Sequence, residues 1–170
     1  MKFNTASAIS LILAIFIFIL DQSTKLIVIN KLSIGESWPV DGFFRLTHVA
    51  NTGSAFGLMS GQNHLLSIVA LLGILAILWF LLRGATDFLV KIALGLMLAG
   101  ASGNFIDRIV NGHVTDFVDI GPWYIFNVAD SAIVVSVAIL IFFFIFGKEI
   151  APEKLISSEI AEETVSNESN

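Results

Sequence analysis

The chain of 170 residues contains no cysteine, which excludes a disulfide scaffold, a thiolate nucleophile and a cysteine-based metal centre. Charge is scarce as well. Asp, Glu, Lys and Arg make up 14% of the residues, against about 25% in soluble domains. With a mean hydropathy of +0.88, a water-soluble globular domain is excluded. A basic face is also missing: Lys148 to Asn170 hold six of the fourteen acidic residues, and the first 147 residues carry seven basic against eight acidic. Nothing there neutralises a nucleic-acid backbone, so no nucleic-acid partner is expected. His48, His64 and His113 are scattered without ligand spacing, so no metal is expected. Neither a nucleophile elbow around Ser131 nor a phosphate-cradling loop nor an internal repeat is present.

What the chain does have is long uncharged stretches: Phe3–Leu20, Leu65–Leu82, Ile92–Ile106 and Ser131–Gly147. Eighteen helical residues cover about 27 Å, close to the ~30 Å hydrocarbon core. Four transmembrane helices are expected, over about 6–29, 65–82, 88–106 and 131–147, in one membrane domain of residues 1–150. The third span reaches back to Phe88 if Lys91 snorkels its ammonium to the interface. A cleaved signal peptide is the rival reading of the first stretch, but no small-x-small site precedes Asp21 and three further spans follow. Residues 151–170 are acidic and lack aromatics, as a disordered tail would.

Lys and Arg outside the spans weakly favour cytoplasmic termini, leaving residues 30–64 and 107–130 external. Trp79 at one boundary and Trp38, Trp123 and Tyr124 at the other read as interfacial anchors or equally as lipid-facing aromatics. The first external segment reads as a hairpin on Asp41-Gly42. The second runs from Val114 to Ile120, turns at Gly121-Pro122 and returns from Trp123 to Phe126. A small β element shared by both segments is expected on the outer membrane surface.

The carboxylates are unevenly placed. Of the eight acidic residues before the tail, only Asp87 falls on the cytoplasmic side, and ionisable groups at membrane depth point to function. Asp130 stands at the mouth of the fourth span, where capping the helix is a competing role. Strand alternation groups Asp116 with Val114 and Val118, away from Phe117 and Asp119, and the Gly121-Pro122 turn can bring Asp116 beside Asp130. Asp119 and Asp41 are placed on solvated faces. Two carboxylates in contact share one proton near neutral pH. One can then draw a proton from water while the other donates to the oxyanion, the chemistry of aspartic proteases.

Five motifs in order resemble the lipoprotein signal peptidase family, the signal peptidase II enzymes of bacterial membranes. They are Asp21-Gln22-Ser23-Thr24-Lys25, Asn51-Thr52-Gly53-Ser54-Ala55-Phe56, Gly103-Asn104-Phe105-Ile106-Asp107-Arg108, Gly112-His113-Val114-Thr115-Asp116-Phe117 and Phe126-Asn127-Val128-Ala129-Asp130. Ala99, where a glycine is common, and the acidic tail depart from the pattern. The resemblance implies an all-α polytopic membrane protein of four transmembrane helices with a small extracytoplasmic β-cradle and a short surface helix. It implies Asp116 and Asp130 as the catalytic pair, Asn51, Asn104, Arg108 and Asn127 as polar residues around them, and Asp21 and Lys25 in support. It also implies a diacylglyceryl-modified prolipoprotein as substrate, cut just before the lipidated cysteine, with membrane lipid around the enzyme, no cofactor, and sensitivity to globomycin-type inhibitors.

The residues themselves allow simpler roles. Arg108 can clamp a peptide carbonyl or lipid phosphate, or merely anchor its helix in the headgroups. Lys25 stands in ion-pair register with Asp21, and Asn51 and Asn127 can serve substrate backbone or their own turns. The Asn51–Phe56 turn is expected to close over the peptide, with Gly53 permitting backbone approach. Glycines 95, 100 and 103 read as close helix packing. A non-enzymatic carrier or assembly subunit binding cations or protons is the alternative, but a carrier places its ionisable groups near the midplane rather than at one interface.

Overall fold

In hydrocarbon the backbone finds no water, so an apolar run of spanning length must close its hydrogen bonds internally as a helix. The computed structural model describes residues 5–53, 61–83 and 87–146; the expected tail at 151–170 lies outside them. Four helices are long and apolar enough to cross a membrane: α1 (Thr5–Lys31), α2 (Asn63–Arg83), α3 (Phe88–Val110) and α4 (Val128–Phe146). Their polarity is inverted relative to a soluble bundle. Ile12, Phe16, Leu72, Phe80 and Phe144 point outward, while Ser10, Asp21 and Lys25 are among the most deeply buried side chains.

The most enclosed helix is α3, which packs against α1 and α2. A cluster of Ala14, Ile77, Leu81, Leu98 and Ala99 joins these three helices. Small residues let other backbones approach, as expected of the α3 glycines. A Cβ on Gly100 would collide with the Ala129 carbonyl of α4, and one on Gly103 with the Asp21 carboxylate. Those approaches bring the polar residues of α1 and the start of α4 onto one stripe of α3.

Lys91 departs from expectation. Its side chain is 1% exposed, and its ammonium donates to Ser7 Oγ at 3.0 Å instead of reaching the interface. A hydroxyl on the neighbouring helix supplies the polar partner that a headgroup would otherwise have to supply. Asp87 starts α3 by accepting from the Leu89 N–H at 3.1 Å, so the helix begins at Phe88 without snorkelling.

The two segments between spans do share a sheet. Its order is β1-β2-β3, all antiparallel, with β1 Ser37–Trp38, β2 Arg45–Asn51 and β3 Val114–Asp119. Asp41-Gly42 does not form the tight hairpin turn. Trp38 pairs with Leu46, so residues 39–44 make a longer loop, because Pro39 has no N–H with which to extend the ladder. Beyond β3 the chain turns at Gly121, whose φ is +70°, and Phe126 returns to bridge Val118. Both β2 and β3 thereby deliver their ends to the mouth of α4. No fifth helix occurs among the described residues, and residues 54–60, with half of the Asn51–Phe56 turn, lie outside them.

Candidate active site

The entrance to α4 is built by Asn127 together with Asp130. Asn127 Oδ1 accepts from the Asp130 N–H at 2.8 Å, and Asp130 Oδ2 accepts from the Asn127 N–H at 3.3 Å. This is a reciprocal capping box with Asp in the usual Glu position. The capping role considered for Asp130 is therefore shared, and it occupies one carboxylate oxygen only. The other, Oδ1, accepts from Asn104 Nδ2 at 2.8 Å.

Asp116, 1% exposed, sits on β3 with both oxygens bonded: Oδ1 to Asn127 Nδ2 at 2.7 Å and Oδ2 to Asn51 Nδ2 at 2.8 Å. Asn127 thus holds both aspartates, one through its amide nitrogen and one through its oxygen and backbone N–H. The two carboxylates face a single cavity of about 650 Å³, whose walls include Ile120, Trp123, Ile133 and Val134. Burial raises the Asp116 carboxyl to about 7 and the negative charge of Asp130 adds to that, against the hydrogen bonds from Asn51 and Asn127. A carboxyl in this range exchanges its proton near neutral pH.

Beneath the pair lies a buried charge cluster. Lys25 bridges Asp21 at 2.8 Å and Asp107 at 3.0 Å and donates to Asn104 Oδ1 at 3.1 Å. With its oxygen turned to the ammonium, the Asn104 amide must present its nitrogen to Asp130. Asp21 also accepts from the Ala129 N–H at 2.9 Å, and Asp107 from the Thr115 N–H at 3.1 Å. One cluster therefore clamps both the start of α4 and the strand beside Asp116. Arg108 ties α3 to the rim, donating to the Gly53 carbonyl at 3.1 Å, while the Gly53 N–H donates to Asn51 Oδ1 at 2.9 Å.

All nine expected site residues meet in this network. Three others belong to it. Asp107 completes the lysine cluster, and Gln22 donates to Asp21 and Asp107 at 3.1 and 3.2 Å. Tyr124, taken as an interfacial aromatic, places its hydroxyl 2.6 Å from Asn51 Nδ2. A signal for Asp107 was present: Gly100, Gly103, Asn104 and Asp107 follow one helical stripe.

Asp119 corrects another expectation, because both faces of β3 are covered. It is 3% exposed and accepts from Arg45 Nε at 3.0 Å, Thr47 Oγ1 at 2.7 Å and the Gly121 N–H at 3.1 Å. Burial works against its charge, but the hydrogen bonds from Thr47, Gly121 and Arg45 outweigh it and hold the carboxyl below its ordinary range. Asp119→Ala is expected to cost about 1–3 kcal/mol, whereas exposed Asp41→Ala costs little. Thermal unfolding of the two variants in detergent separates them, and equal melting temperatures would contradict the structural role of Asp119.

Fold and site together define a four-span membrane enzyme with paired carboxylates at one end of its bundle. A family model described as signal peptidase (SPase) II matches residues 13–146. The chain is 40% identical over 147 residues to a lipoprotein signal peptidase of Staphylococcus haemolyticus, covering 83% of this chain and 93% of that one. It is 37% identical over 133 residues to that of Halothermothrix orenii, covering 78% and 92%. A solved bacterial membrane enzyme superposes with a TM-score of 0.76 at 32% identity, over 85% of this chain and 91% of the other. The chain belongs to the signal peptidase II family and is a protease of the bacterial inner membrane; this does not favour the carrier alternative.

Proposed function

We propose that the protein cleaves signal peptides from diacylglyceryl-modified prolipoproteins just before the lipidated cysteine, with Asp116 and Asp130 as the catalytic pair. The observation that carries this reading is that Asn127 bonds both carboxylates while both face one cavity. With one proton between them, the ionised member takes a proton from water as its oxygen attacks the scissile carbonyl carbon. The protonated member donates to the carbonyl oxygen, giving a neutral gem-diol. Collapse of the diol returns a proton to the amide nitrogen as the C–N bond breaks, and the pair again holds one proton. The donors on Asp116 and Asp130 fix both carboxylates before substrate arrives, and Arg108 holds the Gly53 backbone beside them. The apolar wall of Ile133 and Val134 suits a substrate carried on acyl chains, and globomycin-type inhibitors would compete for the same cavity.

The test is incubation of purified protein with a lipidated lipobox peptide and mass analysis of the products; absence of cleavage by folded protein would defeat the proposal. The same assay carries a pH prediction. Since the Asp116 carboxyl lies at about 7, raising the pH through neutrality removes the shared proton, and turnover should fall about tenfold per unit on the alkaline side. A rate that stays flat to pH 9 would exclude a shared proton as the acid.

Both termini are assigned to the cytoplasm and the pair to the extracytoplasmic side, a reading supported by the even number of spans among the described residues and by the sequence positions of Lys2, Arg83, Lys91, Lys148 and Lys154, which then fall on the cytoplasmic side. A reporter fused after Gly147 should behave as cytoplasmic and one inserted at Gly61 as external. The reverse pattern would put the pair on the wrong side for an exported substrate.

A further inference from the structure

Asn51 is the side chain through which strand β2 reaches Asp116, and its amide nitrogen and oxygen are both engaged. Its oxygen accepts from the Gly53 N–H at 2.9 Å, which settles the orientation of the amide. The amide nitrogen then faces Asp116 Oδ2 at 2.8 Å and the Tyr124 hydroxyl at 2.6 Å, one partner for each of its hydrogens. Tyr124 is half-buried on the return between β3 and α4 and contributes to the cavity wall. That return is itself held firmly, by the Gly121 N–H on Asp119 and by the Val118–Phe126 bridge. The phenol oxygen is therefore a fixed acceptor on which the Asn51 amide is hung.

We infer that Tyr124 is a positioning residue for this reaction: by accepting from Asn51 it aims the other amide hydrogen at Asp116 and sets how strongly that carboxylate is held. The inference rests on the catalytic role proposed for Asp116. A hydrogen bond donated to a carboxylate favours its ionised form, so loosening Asn51 raises the proton affinity of Asp116. The other charged groups whose fields reach this site are Asp130 on α4, Lys25 on α1, and Arg108 and Asp107 on α3. Of these, Arg108 also feels the Tyr124 phenol, as the last of the influences on it after Asp130, Asp116 and Asp107.

Tyr124→Phe keeps the ring in the cavity wall and deletes the acceptor. Its kcat on a lipidated lipobox peptide is expected to fall about three- to tenfold with KM within twofold of the parent. The alkaline limb of its pH–rate profile should move upward by about half a unit or more. A purely structural role would lower the amount of folded protein, read by thermal unfolding, and leave that limb in place. Tyr124→His, whose ring can present an acceptor nitrogen, should move the limb back toward the parent. In an Asn51→Ala background Tyr124→Phe should add nothing further, because both changes remove one unit. Additive losses, or a Tyr124→Phe profile superimposable on the parent, would overturn the inference. Parent and Asp116→Asn run alongside separate this outcome from failure of the catalytic assignment, in which the parent does not cleave or Asp116→Asn does.

Discussion

Asp130→Asn is expected to reduce turnover of a lipidated precursor about a thousandfold or more, with the protein still folded in the membrane. An amide oxygen at position 130 can still accept from Asn104 Nδ2 or from the Asn127 N–H, the two donors that Asp130 now serves, so the start of α4 survives. What disappears is the carboxyl that gives or takes a proton. Asp116→Asn should lose as much activity, and since both oxygens of each aspartate accept from N–H groups, either new amide nitrogen faces one donor at some cost in stability. The double variant should be no slower than either single, since the two carboxyls act as one unit. Rates are compared at matched amounts of membrane-inserted protein. A single variant retaining a tenth of the parent rate would end the pairing hypothesis.

Lys25→Met is expected to be the most destabilising change in the interior. It leaves Asp21 and Asp107, 0% and 3% exposed, facing each other without the ammonium that bridges them at 2.8 and 3.0 Å. Removing one partner of a buried ionic group costs about 3–5 kcal/mol, because a charge is left uncompensated. The variant should accumulate poorly in membranes or melt far below the parent. Making the whole cluster neutral, with Asp21→Asn and Asp107→Asn added to Lys25→Met, should recover much of that loss, since neutral sets often replace buried ionic ones at small cost. If Lys25→Met melts with the parent, the cluster is not what clamps α1, α3 and β3 together. Activity separates a second role: the triple variant should remain slow, because Asn104 loses the cation that turns its nitrogen toward Asp130.

Local pattern was enough for the spans, because the thickness of hydrocarbon imposes a length and an absence of charge that can be counted along one dimension. It was also enough for the Asp21–Lys25 register, four residues apart on one helix, and for the return of the chain at Gly121. Asp116 and Asp130 could be paired in advance for the same reason: the turn joining them lies between them in sequence. Packing alone decided the rest. Whether Lys91 reached a headgroup or Ser7, whether Asp119 met water or Arg45, and that Lys25 would also hold Asp107, depend on partners 84, 74 and 82 residues away, brought close by helices and strands whose relative rotation no local period encodes. The same holds for Tyr124 against Asn51, which one strand end and one loop bring together across 73 residues. Burial in a low-dielectric interior then makes those distant partners obligatory, since a polar group hidden there without one is expensive. Sequence periodicity therefore determined which residues had to avoid lipid, and the tertiary structure determined which of them meet.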